Sequence, residues 1–330
     1  MYTTVHLWQD SSKISRYLSN TLLDEIENTL SKWESVLLYL NKRGAYNSLI
    51  CQDCQYLFEC QNCDTSQSVH HNPNHLLCHL CTNRVNMPLK CPKCAGVKLM
   101  SIGVWTQQIE EALGKYFVGK NIYRFDSDSM RNISSKKNAL NDLDQADIII
   151  GTKMITTWFD FEKIGCIGVI LVEQELGSPN YDATERAYSN LKQLIGRWNR
   201  KSQETTIILQ SFIPKNEMIR SLVESNFKDF LMQTLTERKL FSYPPFGEVV
   251  KLEYRHPDAE KALTYIKKLA HTLREYNKDN SYIIIPWTST FKKNNSYHVA
   301  CLIKWKNTRL LLWNIKSQIL HEVKLSVIFS

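Results

Sequence analysis

The chain has 330 residues, 43% of them hydrophobic and 11% aromatic, an ordinary balance for a globular protein of two or three domains with a buried core. No apolar run approaches the ~18 residues that a membrane span needs, and the opening MYTTVHLWQD has neither the basic start nor the apolar core of a signal peptide, so a cytoplasmic protein is expected. The net charge of +8 is unevenly placed: residues 1 to 250 carry 27 Lys+Arg against 27 Asp+Glu, whereas residues 251 to 330 carry 14 against 6.

In chain order, residues 15 to 32 (SRYLSNTLLDEIENTLSK) show the apolar period of an amphipathic helix. SVLLYL at 35 to 40 reads as a buried strand, broken off by Asn41, Lys42, Arg43 and Gly44. Next come four CxxC pairs, Cys51/Cys54, Cys60/Cys63, Cys78/Cys81 and Cys91/Cys94, which use eight of the ten cysteines. Two thiolates two residues apart on a tight knuckle can share one tetrahedral Zn²⁺ at about 2.3 Å, and two knuckles complete a closed four-cysteine site. Eight such thiols predict two ions. The alternatives are disulfides, which suit small secreted domains, and cysteines buried as small hydrophobes. His70, His71, His75 and His79 crowd the same loop and could each replace a thiolate. With eight cysteines already paired, they are read as surface residues.

A helix at about 105 to 117 follows, then the apolar runs NIYRF, ADIIIG and CIGVILV, a helix from about 182 to 197, and TTIILQSF. Apolar strands alternating with helices predict an α/β fold with a parallel, doubly wound sheet, interrupted near its first strand by the cysteine module. A second long helix, about 215 to 238, leads to YPPF (Tyr243 to Phe246), where paired prolines stop helix and strand alike and mark a domain boundary. Beyond it, VVKLEYR, a helix from Pro257 to Tyr276, YIIIP, YHVACLIKW, a helix around 307 to 318 and VKLSVIF give a βαβ-βαβ order. That order predicts a ferredoxin-like α+β sandwich. The basic excess of this region is interleaved with aromatic residues such as Tyr254, Tyr265, Trp287 and Trp305. Basic groups attract phosphate and aromatic faces stack unpaired bases, so the region is a candidate nucleic-acid surface, with Lys292, Lys293, Lys304, Lys306 and Arg309 as the first residues expected to meet it. The competing interpretation is a solvated basic face over an aromatic core.

Several segments together resemble one family. NKRG at 41 to 44, the four CxxC pairs in their order and intervals, SPNYDATERAYSNLKQLIGRWNR at 178 to 200 and ERKLFSYPPF at 237 to 246 are similar to the primosomal protein N-prime family. Those proteins are bacterial replication-restart DNA helicases of superfamily 2. The resemblance runs from about residue 14 to the end and implies only the second RecA-like helicase lobe (1–48 and 99–240), its zinc-binding insertion (49–98) and a basic C-terminal domain (241–330). It implies one ion on Cys51, Cys54, Cys91 and Cys94 and another on Cys60, Cys63, Cys78 and Cys81. It also implies, as partners, forked or single-stranded DNA, the acidic tail of single-stranded DNA-binding protein and other primosome proteins.

The ATP machinery departs from the family. Phosphate binding needs a GxxxxGKS or GxxxxGKT loop after a strand and an acidic box, both on the first lobe. The near match GKYFVGKN at 114 to 121 follows a helix and ends in Asn121, so it is read as chance, and there is no DExH box. Where the family has nucleotide-contacting arginines this chain keeps Arg197 and Arg200, but Trp105, Trp158 and Trp198 stand at family glycine or alanine positions. Tryptophan cannot offer the close backbone approach that glycine allows. The arginines are therefore expected to be vestigial, and ATP to matter only if a partner supplies the first lobe. The reading is a truncated or degenerate restart-helicase relative that binds zinc and DNA in primosome assembly. The alternatives are one half of a split helicase, or a protein-interaction adaptor without DNA binding.

Overall fold

A computed structural model describes residues 2–41, 47–62, 65–71, 74–79, 83–125, 143, 145–153, 155, 164–177, 180–198, 205–277, 282–286, 291–293, 296–305 and 325–329. In chain order its elements are β1 (Tyr2–His6), α1 (Leu7–Asp10), α2 (Asn20–Ser31), β2 (Ser35–Tyr39), β3 (Ser48–Cys51), β4 (Ser68–His71), β5 (Asn74–Leu77), β6 (Arg84–Asn86), β7 (Leu99–Ile102), α3 (Thr106–Tyr116), β8 (Ile122–Phe125), β9 (Ile148–Gly151) and β10 (Ile164–Val169). They continue with α4 (Glu173–Leu176), α5 (Ala183–Trp198), β11 (Thr206–Ser211), α6 (Glu217–Val223), α7 (Phe227–Leu240), β12 (Glu248–His256), α8 (Ala259–Tyr276), β13 (Ile283–Pro286), β14 (Phe291–Lys293), β15 (Ser296–Trp305) and β16 (Leu325–Phe329). The chain divides into two compact units, residues 1–58, 88–178 and 182–230 in one and 59–87, 179–181 and 231–330 in the other. No described helix is long and apolar enough to cross a membrane.

In the first unit, six strands lie in the order β1-β11-β10-β2-β9-β8, every neighbouring pair parallel. Parallel strands covered on both faces must be apolar throughout, which is why SVLLY, IIIG and IGCIGV are continuous runs and why β9 and β10 are buried at every position. Helix α2 starts at Ser19, whose side chain accepts from Leu22 N, and buries Leu22, Leu23, Ile26 and Leu30 against the sheet. It can lie close because β10 carries Gly168, where a Cβ would stand 2.8 Å from both Leu22 Cδ1 and Leu38 Cδ2.

Two elements differ from the expected pattern. The single helix expected over 215 to 238 is two helices, α6 and α7. Ser225 between them has φ 55°, a left-handed conformation that no helix interior tolerates, and Asn226 N bonds back to Ser221 O at 3.0 Å. Strand β1 has no counterpart in the sequence pattern. Its five residues, YTTVH, become a strand only by pairing with β11 in register Tyr2↔Ile207 to His6↔Ser211.

In the second unit, β13-β15-β12-β16 form an antiparallel sheet, with β14 also pairing β15. Alternation along β12 sends Val250, Leu252 and Tyr254 to the core with Val299, Cys301 and Ile303, against Ala262, Ile266, Leu269, Ala270 and Leu273 of α8. Asp258 caps that helix by accepting from Glu260 N and Lys261 N. The expected helix around 307 to 318 lies outside the described residues.

On the opposite face of β12, Lys251 Nζ and Arg255 Nε meet the buried Glu253 carboxylate at 2.7 and 3.1 Å, and His298 Nδ1 lies 3.0 Å from it. Burial pushes this carboxyl up, but Lys251, His298 and Arg255 outweigh it and hold it down to about 2, below its ordinary 4.5. A depressed folded value means that the network stabilises the fold above pH 4.5 and that this stability is lost as pH falls towards 2. Glu253→Gln is accordingly expected to melt at a lower temperature at pH 7 and to show a flatter acid dependence between those limits. Thermal midpoints of the two proteins that fell in parallel with acid would contradict this.

Tyr243 of the YPPF segment is buried beside this sheet with its ring stacked on Tyr181 at 4.8 Å and 15°. The Lys304 ammonium lies 4.3 Å from the Tyr243 centroid and donates to Phe241 O at 2.6 Å. Arg238 sits 5.2 Å over Tyr181 and donates to Pro244 O at 2.6 Å. Cation, ring, ring and cation thus form one run that ties Arg238 and Tyr243 of ERKLFSYPPF to Tyr181 and Lys304.

Candidate metal centre

The first unit brings Cys51, Cys54, Cys91 and Cys94 together, with all four Sγ atoms within 4.8 Å of one another. Cys51 closes β3, and β3 pairs antiparallel with β7 in register Cys51↔Leu99, which returns the second knuckle to the first. Gln52 N donating to Lys98 O at 2.9 Å ties the two knuckles.

Each knuckle has the same backbone. Gln55 N donates to Cys51 O and Ala95 N to Cys91 O, both at 2.9 Å. Gln55 and Ala95, each directly after the second cysteine of its pair, take φ 63° and 59°, the left-handed turn that reverses the chain as it leaves the knuckle. Cys51 N donates to Tyr56 O at 2.9 Å and Cys91 N to Gly96 O at 2.8 Å. Gly96 packs closely against the cluster: a Cβ there would stand 3.2 Å from Cys94 Sγ and would displace the exposed Asp53 carboxylate.

The donor set fits a tetrahedral ion. Metal–sulfur bonds of about 2.3 Å imply sulfurs about 3.8 Å apart, and Cys51–Cys94 and Cys54–Cys91 are each 3.6 Å apart. Burial pushes the Cys54 thiol up to about 12. At Cys91 burial is outweighed by N–H donors from Cys94 and Lys93, which hold it down to about 7. A divalent cation binds such a cluster by displacing the protons that its thiols carry. With four protein sulfurs the site is closed and offers no position for an activated water.

The other two pairs are half in view. Cys60 and Cys78 are buried in the second unit, while Cys63 and Cys81 lie outside the described residues. Cys60 N donates to Thr65 O at 2.8 Å and Cys78 N to Asn83 O at 2.9 Å, the same five-residue closure as in the first two knuckles. Around them, His70 faces His75 across the β4–β5 pair, the rings stacked at 5.1 Å, and His70 Nε2 lies 3.1 Å from His79 Nε2. Burial lowers the basicity of both His70 and His79, the latter to about 4. Of the four histidines expected at the surface, His71 is exposed and His70 and His79 are half-buried, but His75, its ring stacked on that of His70, is buried.

The remaining candidate residues are dispersed. Arg197 lies on α5 near its end, and Arg200, Lys306 and Arg309 lie outside the described residues. Lys292 and Lys293 are on β14, opposite Tyr297 and Ser296 of β15. Lys304 is buried, at 5% exposure, and its ammonium is engaged by Phe241 O and the Tyr243 ring. Two functional-looking carboxylates have no signal in the sequence. Glu173 accepts from Ser211 Oγ, Phe212 N and Ile213 N, and Glu175 from Tyr39 Oη at 2.6 Å and Asn190 Nδ2 at 3.3 Å. Burial pushes both carboxyls up against these donors. Nothing in their spacing announces them, since all of these partners are remote in sequence.

Fold and site together define an α/β protein with a parallel sheet and a four-cysteine group able to hold a metal ion. No family model matches the chain. It is 29% identical over 303 residues to replication restart protein PriA of Bacillus subtilis, covering 91% of this chain and 38% of that protein. With PriA of Synechocystis it is 31% identical over 276 residues, 81% of this chain and 33% of the relative, and with PriA of Borreliella burgdorferi 28% over 313 residues, 94% and 47%. Among solved structures, the de novo designed protein Foldit4 overlaps 26% of this chain at a TM-score of 0.21 and 20% identity, which bears no weight. The chain thus resembles the C-terminal half of replication restart protein PriA and spans about a third to a half of the length of the relatives it matches.

Proposed function

We propose that the chain acts in replication restart as a zinc-containing, DNA-binding factor of primosome assembly, with two structural zinc ions. The observation that carries this is the four-thiol cluster of Cys51, Cys54, Cys91 and Cys94, set within a chain aligned over most of its length with PriA. Cys60, Cys63, Cys78 and Cys81 would hold the second ion; the shared backbone closure at Cys60 and Cys78 supports it. In this reading residues 1–48 and 99–240 are a RecA-like helicase lobe, 49–98 its zinc insertion and 241–330 a ferredoxin-like domain. The all-parallel order of the first sheet and the order β13-β15-β12-β16 of the second support that division. Zinc here fixes the knuckles and supplies no reactive water. The partners are DNA, the acidic tail of single-stranded DNA-binding protein and primosome proteins, in the cytoplasm.

DNA would be met by the basic C-terminal region through Lys292, Lys293, Lys306 and Arg309, while Lys304 is committed to packing on Tyr243. The test is a titration of the full chain against a labelled single-stranded oligonucleotide at several salt concentrations. Charge reversal of Lys292 and Lys293 is expected to weaken binding and to reduce the salt slope by about one for each phosphate that is no longer neutralised. Lys304→Met should leave the slope unchanged. Equal binding and slope in the Lys292/Lys293 variant would favour an adaptor that does not bind DNA.

A second reading, half of a split helicase, rests on Arg197, kept on α5 at a position where the resembled family has a nucleotide-contacting arginine. It predicts DNA-stimulated ATP hydrolysis only after a chain bearing the phosphate loop is added, sensitive to Arg197→Ala. Hydrolysis by this chain alone would refute both readings of its ATP-facing residues.

A further inference from the structure

We propose that His70 and His79 form a separate, exchangeable site for one divalent transition ion of the Cu²⁺, Ni²⁺ or Zn²⁺ class, apart from the cysteine sites. His70 is on β4, and His79 follows β5 on the knuckle that begins at Cys78, so hairpin and knuckle each contribute one imidazole. Their Nε2 atoms face each other at 3.1 Å. With metal–nitrogen bonds of about 2.0–2.1 Å this separation gives a bite angle of about 98°, within reach of tetrahedral and square-planar ions alike. The His75 ring stacked on His70, 22° from parallel, restricts the rotation that would separate the two nitrogens.

Donor chemistry selects the ion. Imidazole suits copper, nickel and zinc, whereas magnesium and calcium require oxygen ligands. Residues 65 to 109 contain no Asp or Glu, so this stretch offers hard cations no carboxylate. With two imidazoles from the described residues and water in the remaining positions, the ion would be exchangeable, unlike one enclosed by four thiolates. On binding, the proton shared between the facing Nε2 atoms passes to Nδ1 of the ring that carried it, through solvent, and both Nε2 lone pairs turn to the metal. Bound there, the ion would fasten the Cys78 knuckle to β4.

The full chain, free of any histidine tag and with its thiol-bound metal counted beforehand, is titrated with NiCl₂ and CuCl₂ by calorimetry and visible absorption. One further equivalent is expected, with ligand-field bands and without the intense thiolate-to-metal charge-transfer band. His70→Gln and His79→Gln should each weaken it at least tenfold, and His71→Gln should leave it unchanged. Retention of full affinity in the His70→Gln/His79→Gln double variant, absence of the extra equivalent, or uptake matched by zinc release would overturn the site. Should a variant fail to keep its zinc and fold, the wild-type chain still decides. Ni²⁺ should protect His70 and His79, and no other histidine, from diethylpyrocarbonate as mapped by mass spectrometry, and protection elsewhere would reject the assignment.

Discussion

Cys91→Ser is expected to release one metal ion per chain and to open the knuckles at Cys51–Cys54 and Cys91–Cys94 while the six-stranded sheet stays folded. A structural zinc site contributes binding free energy of about 10–16 kcal/mol in isolated fingers, all of which appears as folding energy of the segment it closes. Here the base of the segment is anchored by Ile50 and Leu57 in the core, but the knuckles themselves are held, beyond the sulfurs, by the short β3–β7 pair and backbone hydrogen bonds, with Gln55 and Ala95 in left-handed conformations that are themselves unfavourable without closure. The parallel sheet, in contrast, rests on a core of fully buried Leu37, Leu38, Ile149 and Ile167 that does not depend on the metal. Metal analysis should fall from two ions to one. Limited proteolysis should cut near residues 52–55 and 92–97, and amides of β9 and β10 should keep their exchange protection. Cys60→Ser should release the other ion. Loss of both ions from either change would show that the outer and inner pairs do not form independent sites.

Gln210→Leu is the second large effect expected, a destabilisation of about 3–5 kcal/mol with no change in metal content, from the burial of unpartnered polar groups. Gln210 is completely buried on β11, where its Oε1 accepts from Ser19 N at 2.7 Å and its Nε2 donates to Tyr17 O at 2.9 Å and Ile170 O at 3.1 Å. One side chain thus joins the N-terminus of α2 to the end of β10. Leucine fills nearly the same volume but leaves one N–H and two carbonyls without partners, at about 1–3 kcal/mol per buried group. Carbonyls with a remaining lone pair relax more cheaply, which keeps the total below the simple sum. Urea unfolding would report the loss as a lower midpoint at constant slope, and a shift under about 1 kcal/mol would mean that water or another donor takes the place of the amide.

The contrast between these two sites separates what was legible from what was not. The knuckles at Cys51–Cys54 and Cys91–Cys94 are each complete within six residues: two cysteines, a turn residue and the backbone bond between residue i and residue i+5. Spacing therefore announced the knuckles, just as unbroken apolar runs announced β2, β9, β10 and β11 and a 3.6-residue period announced α2 and α8. The hidden break at Ser225 was local too, but serine carries no mark of the left-handed conformation it adopts there.

Gln210, Glu253 and Lys304 are polar residues inside strand patterns, and in the chain they look like solvent-facing positions. Their environments come from partners far away in sequence: Ser19 for Gln210, His298 for Glu253, Phe241 and Tyr243 for Lys304. Lys304 shows the consequence for function, since by composition it belonged with the DNA-facing lysines and by packing it belongs to Tyr243. Strand β1 has the same origin, because five residues with one buried valine become a strand only beside β11. Local spacing encodes whatever closes within a turn or two of backbone. A polar group's charge, burial and availability depend on which distant segment covers it, and that is settled only when the sheets assemble.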